Sequence, residues 1–213
     1  MDLSETTRSL VPTLEGPVLD VLARTTEPLA GREVARLVRS GSEAGVRRAL
    51  HRLVGQGVVD ADERGGAVLY LLNRDHVAFP AVEALVSVRH ELLDRLTSLI
   101  AGWAVPPLHA GVFGSYARQD GDADSDIDVL LVRPAKVSEG SAAWAEQVDD
   151  LRRRVRRWTG NHCQVFETTK PGVAALVEAD AAIVQEWLRD SITLYGPGLP
   201  AFVRQRRPVR SRR

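Results

Sequence analysis

The sequence predicts an α/β chain in two parts: a helical domain closed by a β-hairpin, then an α/β domain reached through a long helix. Three observations carry this reading. Apolar residues recur at helical spacing up to about residue 54 and give way to two β-rich runs on either side of Gly65-Gly66. A continuous amphipathic stripe follows from Ala81 to Trp103. Beyond Pro106-Pro107 come a strand, a Gly-Ser turn, a helical start and a second strand. The 213 residues lie between one and two domains in length, with few aromatics, so the cores should be Val, Leu and Ala.

In the first part, Leu14, Val18, Leu19 and Leu22 mark a first helix, and 31–38 reads as a second. Ser42 is a suitable N-cap for a third, Glu43 to Val54, which ends at Gly55 and Gly57. The runs 58–61 and 67–72 then form a hairpin. The stretch GREVARLV…SEAGVRRALHRLVGQGVVDADERGG resembles the helix-turn-helix and wing of the winged helix-turn-helix domains of bacterial and archaeal regulators. That resemblance implies DNA binding, with the third helix in the major groove. Ser42, Glu43, Arg47, Arg48 and His51 would be its exposed residues, and Arg64 would lie on the wing. The alternative is a plain solvated helix face. Acids and bases are about balanced here, so affinity for DNA would need a local patch.

The 81–103 stripe comprises Val82, Leu85, Val86, Leu92, Leu93, Leu96, Leu99 and Ile100. Packing on the following sheet is the simpler use for it. The seven-residue spacing of Leu85, Leu92 and Leu99 also allows a homodimer contact.

The chemistry is concentrated further on. Leu108–Phe113 reads as a strand, Gly114-Ser115 as a turn, and Asp126–Val132 as a second strand. On a strand, Asp126 and Asp128 project from one face with Cα atoms roughly 6.5 Å apart. Nothing basic lies between them, and a divalent cation is their natural counter-charge. Mg²⁺ takes a few carboxylates and leaves room for water and phosphate oxygens. Gly114 would let backbone approach a phosphate, Ser115 adds a hydroxyl, and the helix start near Tyr116 offers amide donors.

The segment GVFGSYARQDGDADSDIDVLLV resembles the DNA polymerase β-like nucleotidyltransferases, and most of all the minimal ones, whose signature is Gly-Ser, a spacer, then Asp-x-Asp. The likeness runs from about residue 85 to WLRDSITLYGPG at 187–198, where a closing helix and a strand-like tail are implied. It implies an α/β (α+β) domain on a mixed sheet that moves an NMP from an NTP to an acceptor. Gly114, Ser115 and Arg118 would hold the nucleotide, Arg118 supporting phosphate or the loop. Asp126 and Asp128 would be catalytic and would bind Mg²⁺, with two ions implied. The acceptor would be a protein, a tRNA end or a small molecule. The fused N-terminal domain favours a regulatory or toxin–antitoxin setting.

The family's third carboxylate is missing: by position Gln164 stands there. A Gln neither takes a proton nor neutralises a metal. Glu167, three residues on, would face the other way in a regular strand. Three outcomes stay open. Glu167 or a substrate group serves as base; or transfer is slow and relies on metal and positioning; or the domain binds nucleotide without turnover. In the last case the protein is a DNA-binding regulator that senses a nucleotide. A pure protein-interaction module is a third class.

The remaining residues give less. His162 near this strand is a candidate base, although a lone His there is more often structural, and no His spacing points to zinc. Cys163 alone excludes an internal disulfide, and reads as a buried inert thiol. The four Trp read as packing residues. Formal net charge is zero, with no signal peptide pattern and no membrane-length apolar run, so a soluble, cytoplasmic protein is expected. Arg204, Arg206, Arg207, Arg210, Arg212 and Arg213 form a tail expected to be disordered. The expected divisions are 1–78, a linking helix 79–104 opening the transferase domain, 105–200, and the tail 201–213.

Overall fold

A computed structural model describes residues 1–138 and 140–201; the arginines expected to form a disordered tail lie outside the described residues. The chain divides into two units, Glu5–Glu91 and a second made of Met1–Ser4 with the chain from Leu92 onward.

In the Glu5–Glu91 unit the helices are α1 (Glu15–Ala23), α2 (Gly31–Leu37) and α3 (Glu43–Gly55). The Ser42 hydroxyl accepts the backbone N–H of Gly45, which satisfies one of the free amides opening α3. A short strand β1 (Leu29–Ala30) and the hairpin β2 (Val59–Arg64) and β3 (Ala67–Leu72) form an antiparallel sheet in the order β1-β3-β2. Arg64 pairs with Ala67, so the hairpin turns through Gly65 and Gly66 alone. Both have positive φ, +58° and +79°, as a twist-matched two-residue turn requires. Val18, Leu22, Val34, Val46, Leu50, Val59, Tyr70 and Leu72 make the core.

One long helix was expected over 81–103. There are two: α4 (Phe79–Val86) and α5 (Val88–Ala101), parted at Ser87. The stripe divides because it serves two cores. Val82 and Val86 pack with α1–α3, whereas Leu92, Leu96 and Ile100 pack in the other unit. The unit boundary therefore falls inside α5. Leu92 is only 3% exposed, which breaks the surface stripe on which a dimer contact through Leu85, Leu92 and Leu99 would depend.

The second unit is built on a four-stranded sheet ordered β6-β5-β4-β7. Its strands are β4 (His109–Phe113), β5 (Ile127–Arg133), β6 (Cys163–Thr169) and β7 (Ile192–Tyr195). β4 runs antiparallel to β5 and to β7, while β5 and β6 are parallel. This is the mixed sheet that the motif implied. The parallel pair needs a crossover, supplied by α7 (Ala142–Thr159).

Alternation along the strands gives the sheet two apolar faces. On one, Val112, Val129 and Leu131 meet Leu96 and Ile100 of α5 and Trp144, Leu151 and Val155 of α7, together with Leu3. On the other, Phe113, Leu130 and Phe166 meet Val184 and Trp187 of α9 (Ala182–Asp190), beside α8 (Lys170–Glu178). The Trp187 ring lies edge-on to Phe113 and Phe166, with centroids 6.1 and 5.0 Å away. Among the described residues no helix is long and apolar enough to cross a membrane.

Candidate functional site

The site forms where β4 ends. After Phe113 the chain turns through Gly114, at φ +69°, into the five-residue helix α6 (Gly114–Arg118). Phe113 pairs with Asp128 on β5, and Asp128 pairs with Gln164 on β6. Residues paired this way share a sheet face, here the α9 face. Gly114 was expected to make room for a phosphate. Its nearest constraint is instead a carboxylate, since a Cβ at residue 114 would sit 2.3 Å from Asp128 Oδ2. Any larger residue would both strain the backbone and push Asp128 away.

Asp126 does not lie in the strand, as expected, but one residue before β5 begins. Ahead of it the loop closes on itself. Asp122 Oδ1 accepts the Asp124 N–H (3.0 Å) and the Ser125 hydroxyl (2.8 Å), and Ser125 Oγ accepts the Asp122 N–H (2.9 Å). Gly121 packs on Ser115: a Cβ at 121 would come within 2.9 Å of Ser115 Oγ. The loop thus brings Ser115 and the start of β5 together.

Charge at the site is one-sided. Burial, first, and then the negative fields of Asp126 and Glu186 hold the Asp128 carboxyl above the usual range, while Arg118 pulls it down. Sequence reasoning missed Glu186. It comes from α9, which packs on α6, and no local pattern marks it. Arg118 is already engaged: its Nε donates to Asp120 at 2.8 Å and its Nη1 to Asp190 at 3.2 Å. It ties α6 to the loop and to α9, so of its two expected uses support of the loop is the one visible.

Gln164 stands opposite Asp128 with an exposed side chain, as the spacing required. Glu167 faces away, as a regular strand requires. The β5–β6 ladder runs without a bulge from Ile127–Cys163 to Arg133–Thr169, so residue 167 falls on the opposite face from 164 and 166. There its Oε2 accepts the Trp144 indole N–H at 2.6 Å. Glu167 therefore lies on the sheet face away from Asp128. His162 is exposed and its backbone carbonyl accepts the Ile127 N–H at 2.9 Å. Burial pushes the Cys163 thiol up to about 12, consistent with an inert thiol.

The donor set fits a hard divalent cation in one respect and limits it in another. Asp126 and Asp128 form no ion pair among the described residues, so two carboxylates are free for a cation that also takes phosphate oxygens. Among the described residues no three His, Cys, Asp or Glu converge on one point, so phosphate and water must complete any coordination.

The candidate nucleic-acid residues lie in the Glu5–Glu91 unit. Arg47 and His51 line a groove of about 760 Å³ with Arg32, Glu43, Glu63 and Tyr70. Arg47 pairs with Glu43 (3.4 Å) and Arg64 with Asp62 (2.7 Å), and Arg52 pairs with Glu15. Arg48 is exposed on α3, and Ser42 is occupied as its cap. The structure does not gather these residues into an unopposed positive patch.

Residues 98–168, which hold Gly114, Ser115, Asp126, Asp128 and Gln164, match the model of the nucleotidyltransferase domain family. No curated protein matches the chain. Among solved structures it is similar to a toxin–antitoxin crystallised with AMP-PNP, at TM-score 0.36 and 16% identity over 52% of this chain and 77% of that one. It is also similar to human N-acetylserotonin methyltransferase bound to SAM, at TM-score 0.29 and 21% identity over 48% of this chain and 34% of that one.

Proposed function

We propose that the protein is a Mg²⁺-dependent nucleotidyltransferase that moves an NMP from an NTP to a hydroxyl of a protein or RNA acceptor. The observation that carries this reading is the close seating of Asp128 on Gly114, with Asp126 two residues before it, inside the segment that matches the nucleotidyltransferase domain. Asp126 and Asp128 would hold Mg²⁺, which when bound supplies charge neutralisation at the phosphates. A second ion would have to share these two carboxylates, because Gln164 offers only a neutral amide oxygen.

In this reading Ser115 and the Gly114 turn hold the triphosphate in line with the acceptor. The acceptor oxygen bonds to the α-phosphorus, the bond to the β-phosphate oxygen breaks, and pyrophosphate leaves. Gln164 cannot take the hydroxyl proton, so the proton passes to water or to a phosphate oxygen, and positioning carries the rate. The resemblance of the Gly114–Asp128 motif to minimal nucleotidyltransferases favours a toxin–antitoxin or regulatory setting. The unit around α3 would then act as a winged helix, reading DNA through Arg47, Arg48, His51 and Arg64.

Gln164 opposite Asp128, with Glu167 on the far face, favours one rival: a regulator that binds nucleotide without turnover. Incubation with each α-labelled NTP, Mg²⁺ and cell extract separates the two. Label on protein or RNA, lost in Asp126→Asn, supports the transferase. Mg²⁺-dependent NTP binding without label, coupled to a shift in DNA affinity, supports the regulator.

A further inference from the structure

We propose that Asn161 is the positioning residue of the site, clamping the metal-side carboxylate Asp126 from the α7–β6 turn. This rests on the reading of Asp126 and Asp128 as a cation–triphosphate site.

Asn161 is 2% exposed, one of four buried polar or charged residues among those described. Its Nδ2 donates to the backbone carbonyls of Ser125 (2.9 Å), Ala123 (3.1 Å) and Met1 (3.1 Å). Its Oδ1 accepts the Met1 amine at 2.8 Å, and its own N–H is held by Thr159 Oγ1 at 3.0 Å. The neighbouring residue completes the grip, as the His162 carbonyl accepts the Ile127 N–H. Asp126 is therefore the single residue between two fixed points, the Ser125 carbonyl and the Ile127 amide, both held by residues 161–162.

The geometry answers a problem particular to this chain. Asp126 sits outside the regular strand, so no ladder bond of its own element orients it, and the loop before it bears three further acids, Asp120, Asp122 and Asp124. Arg118 holds Asp120 and the Ser125 hydroxyl holds Asp122, but neither bond reaches Asp126. A buried amide that donates to two loop carbonyls fixes the backbone just before Asp126, because pulling the loop away would leave that amide buried and unpaired, which is costly. Groups that orient metal ligands typically change metal affinity or activity by about 10–100-fold when removed.

Asn161→Asp keeps the shape and the acceptor for the Met1 amine while removing both donors. The readout is Mn²⁺ affinity, measured calorimetrically with a non-hydrolysable NTP analogue present, beside thermal unfolding. Thr159→Val is the control, loosening the same turn but leaving the Asn161 amide in place. The clamp predicts a loss of about tenfold or more in Asn161→Asp, against less than twofold in Thr159→Val. Affinity within twofold of wild type in Asn161→Asp overturns it, as does an equal loss in the control. If wild type binds no Mn²⁺–analogue, the cation-site reading itself fails, a separate result. Should Asn161→Asp not fold, the wild-type side-chain amide decides: slowly exchanging Nδ2 protons support the clamp, and rapid exchange overturns it.

Discussion

The α3 and hairpin surface of one unit and the β4–β5 end of the other treat charge in opposite ways. On α3 and the hairpin, each Arg with a recorded partner has an acid within its own unit: Arg47 with Glu43, Arg52 with Glu15, Arg64 with Asp62. Arg47–Glu43 and Arg64–Asp62 are solvated, and pairs of this kind contribute little to stability, whereas the Glu15 carboxylate of the third pair is mostly buried. At the β4–β5 edge the balance is broken. Asp126, Asp128 and Glu186 share one field, Asp128 is half-buried, and the nearest cation, Arg118, is committed to Asp120 and Asp190. Half-buried like charges cost stability and persist only where something else compensates for them.

The largest way to test that contrast is Asp128→Asn. It should lower nucleotidyl transfer by about a thousandfold, or about 4 kcal/mol of transition-state stabilisation. The same change should raise the melting temperature of the metal-free protein, because it removes a charge that burial and two neighbouring acids disfavour. A lower melting temperature would show that Asp128 is structurally compensated after all, and would remove the contrast.

A smaller effect concerns the core of the same unit. His109 is fully buried, its ring Nδ1 bonded to the Pro197 carbonyl at 2.8 Å. Burial lowers its proton affinity from the ordinary 6.5, and the bond to Pro197 only partly offsets this. With the folded-state value below the unfolded one, stability is complete above about pH 6.5 and declines as pH falls below it. The decline should be no steeper than about 1.4 kcal/mol per pH unit for one proton. Urea unfolding at pH 5 and pH 7.5 measures it, and His109→Gln should flatten that dependence; an unchanged slope would assign it elsewhere.

The smallest effect belongs to the other unit. Arg47→Ala should alter its stability by no more than about 0.5 kcal/mol. A gel shift on random duplex DNA then sharpens the comparison. If Arg47→Ala weakens binding, the paired arginines exchange Glu43 for phosphate; if it does not, the α3 face is a solvated surface.

Much of this was legible in the residues. The Ser42 cap, the Gly65-Gly66 hairpin and the strand–turn–strand carrying Gly114 and Asp128 are local features, fixed by capping, φ signs and period-two alternation. The absence of a carboxylate at 164 was also readable, since strand register is a counting matter. What sequence could not give was tertiary. The apolar stripe through α4 and α5 has no visible break, because both cores want the same residue types; only the packing shows where it divides. Glu186 and the Asn161 bonds reach the site from elements 36 or more residues from the atoms they serve. At Gly114 the crowding atom belongs to Asp128, fourteen residues on, which no local pattern shows.

Leu3 is fully buried against residues from Leu92 to Leu194, and Met1 meets Asn161 across 160 positions of chain. At about 5–20 residues per second, roughly 8 to 30 seconds of synthesis separate the two partners of that contact. The Glu5–Glu91 segment is complete well before then and can close its own core first. The carboxylate loop waits for residues 161 and 162, so the site takes shape only after the Glu5–Glu91 segment has been made.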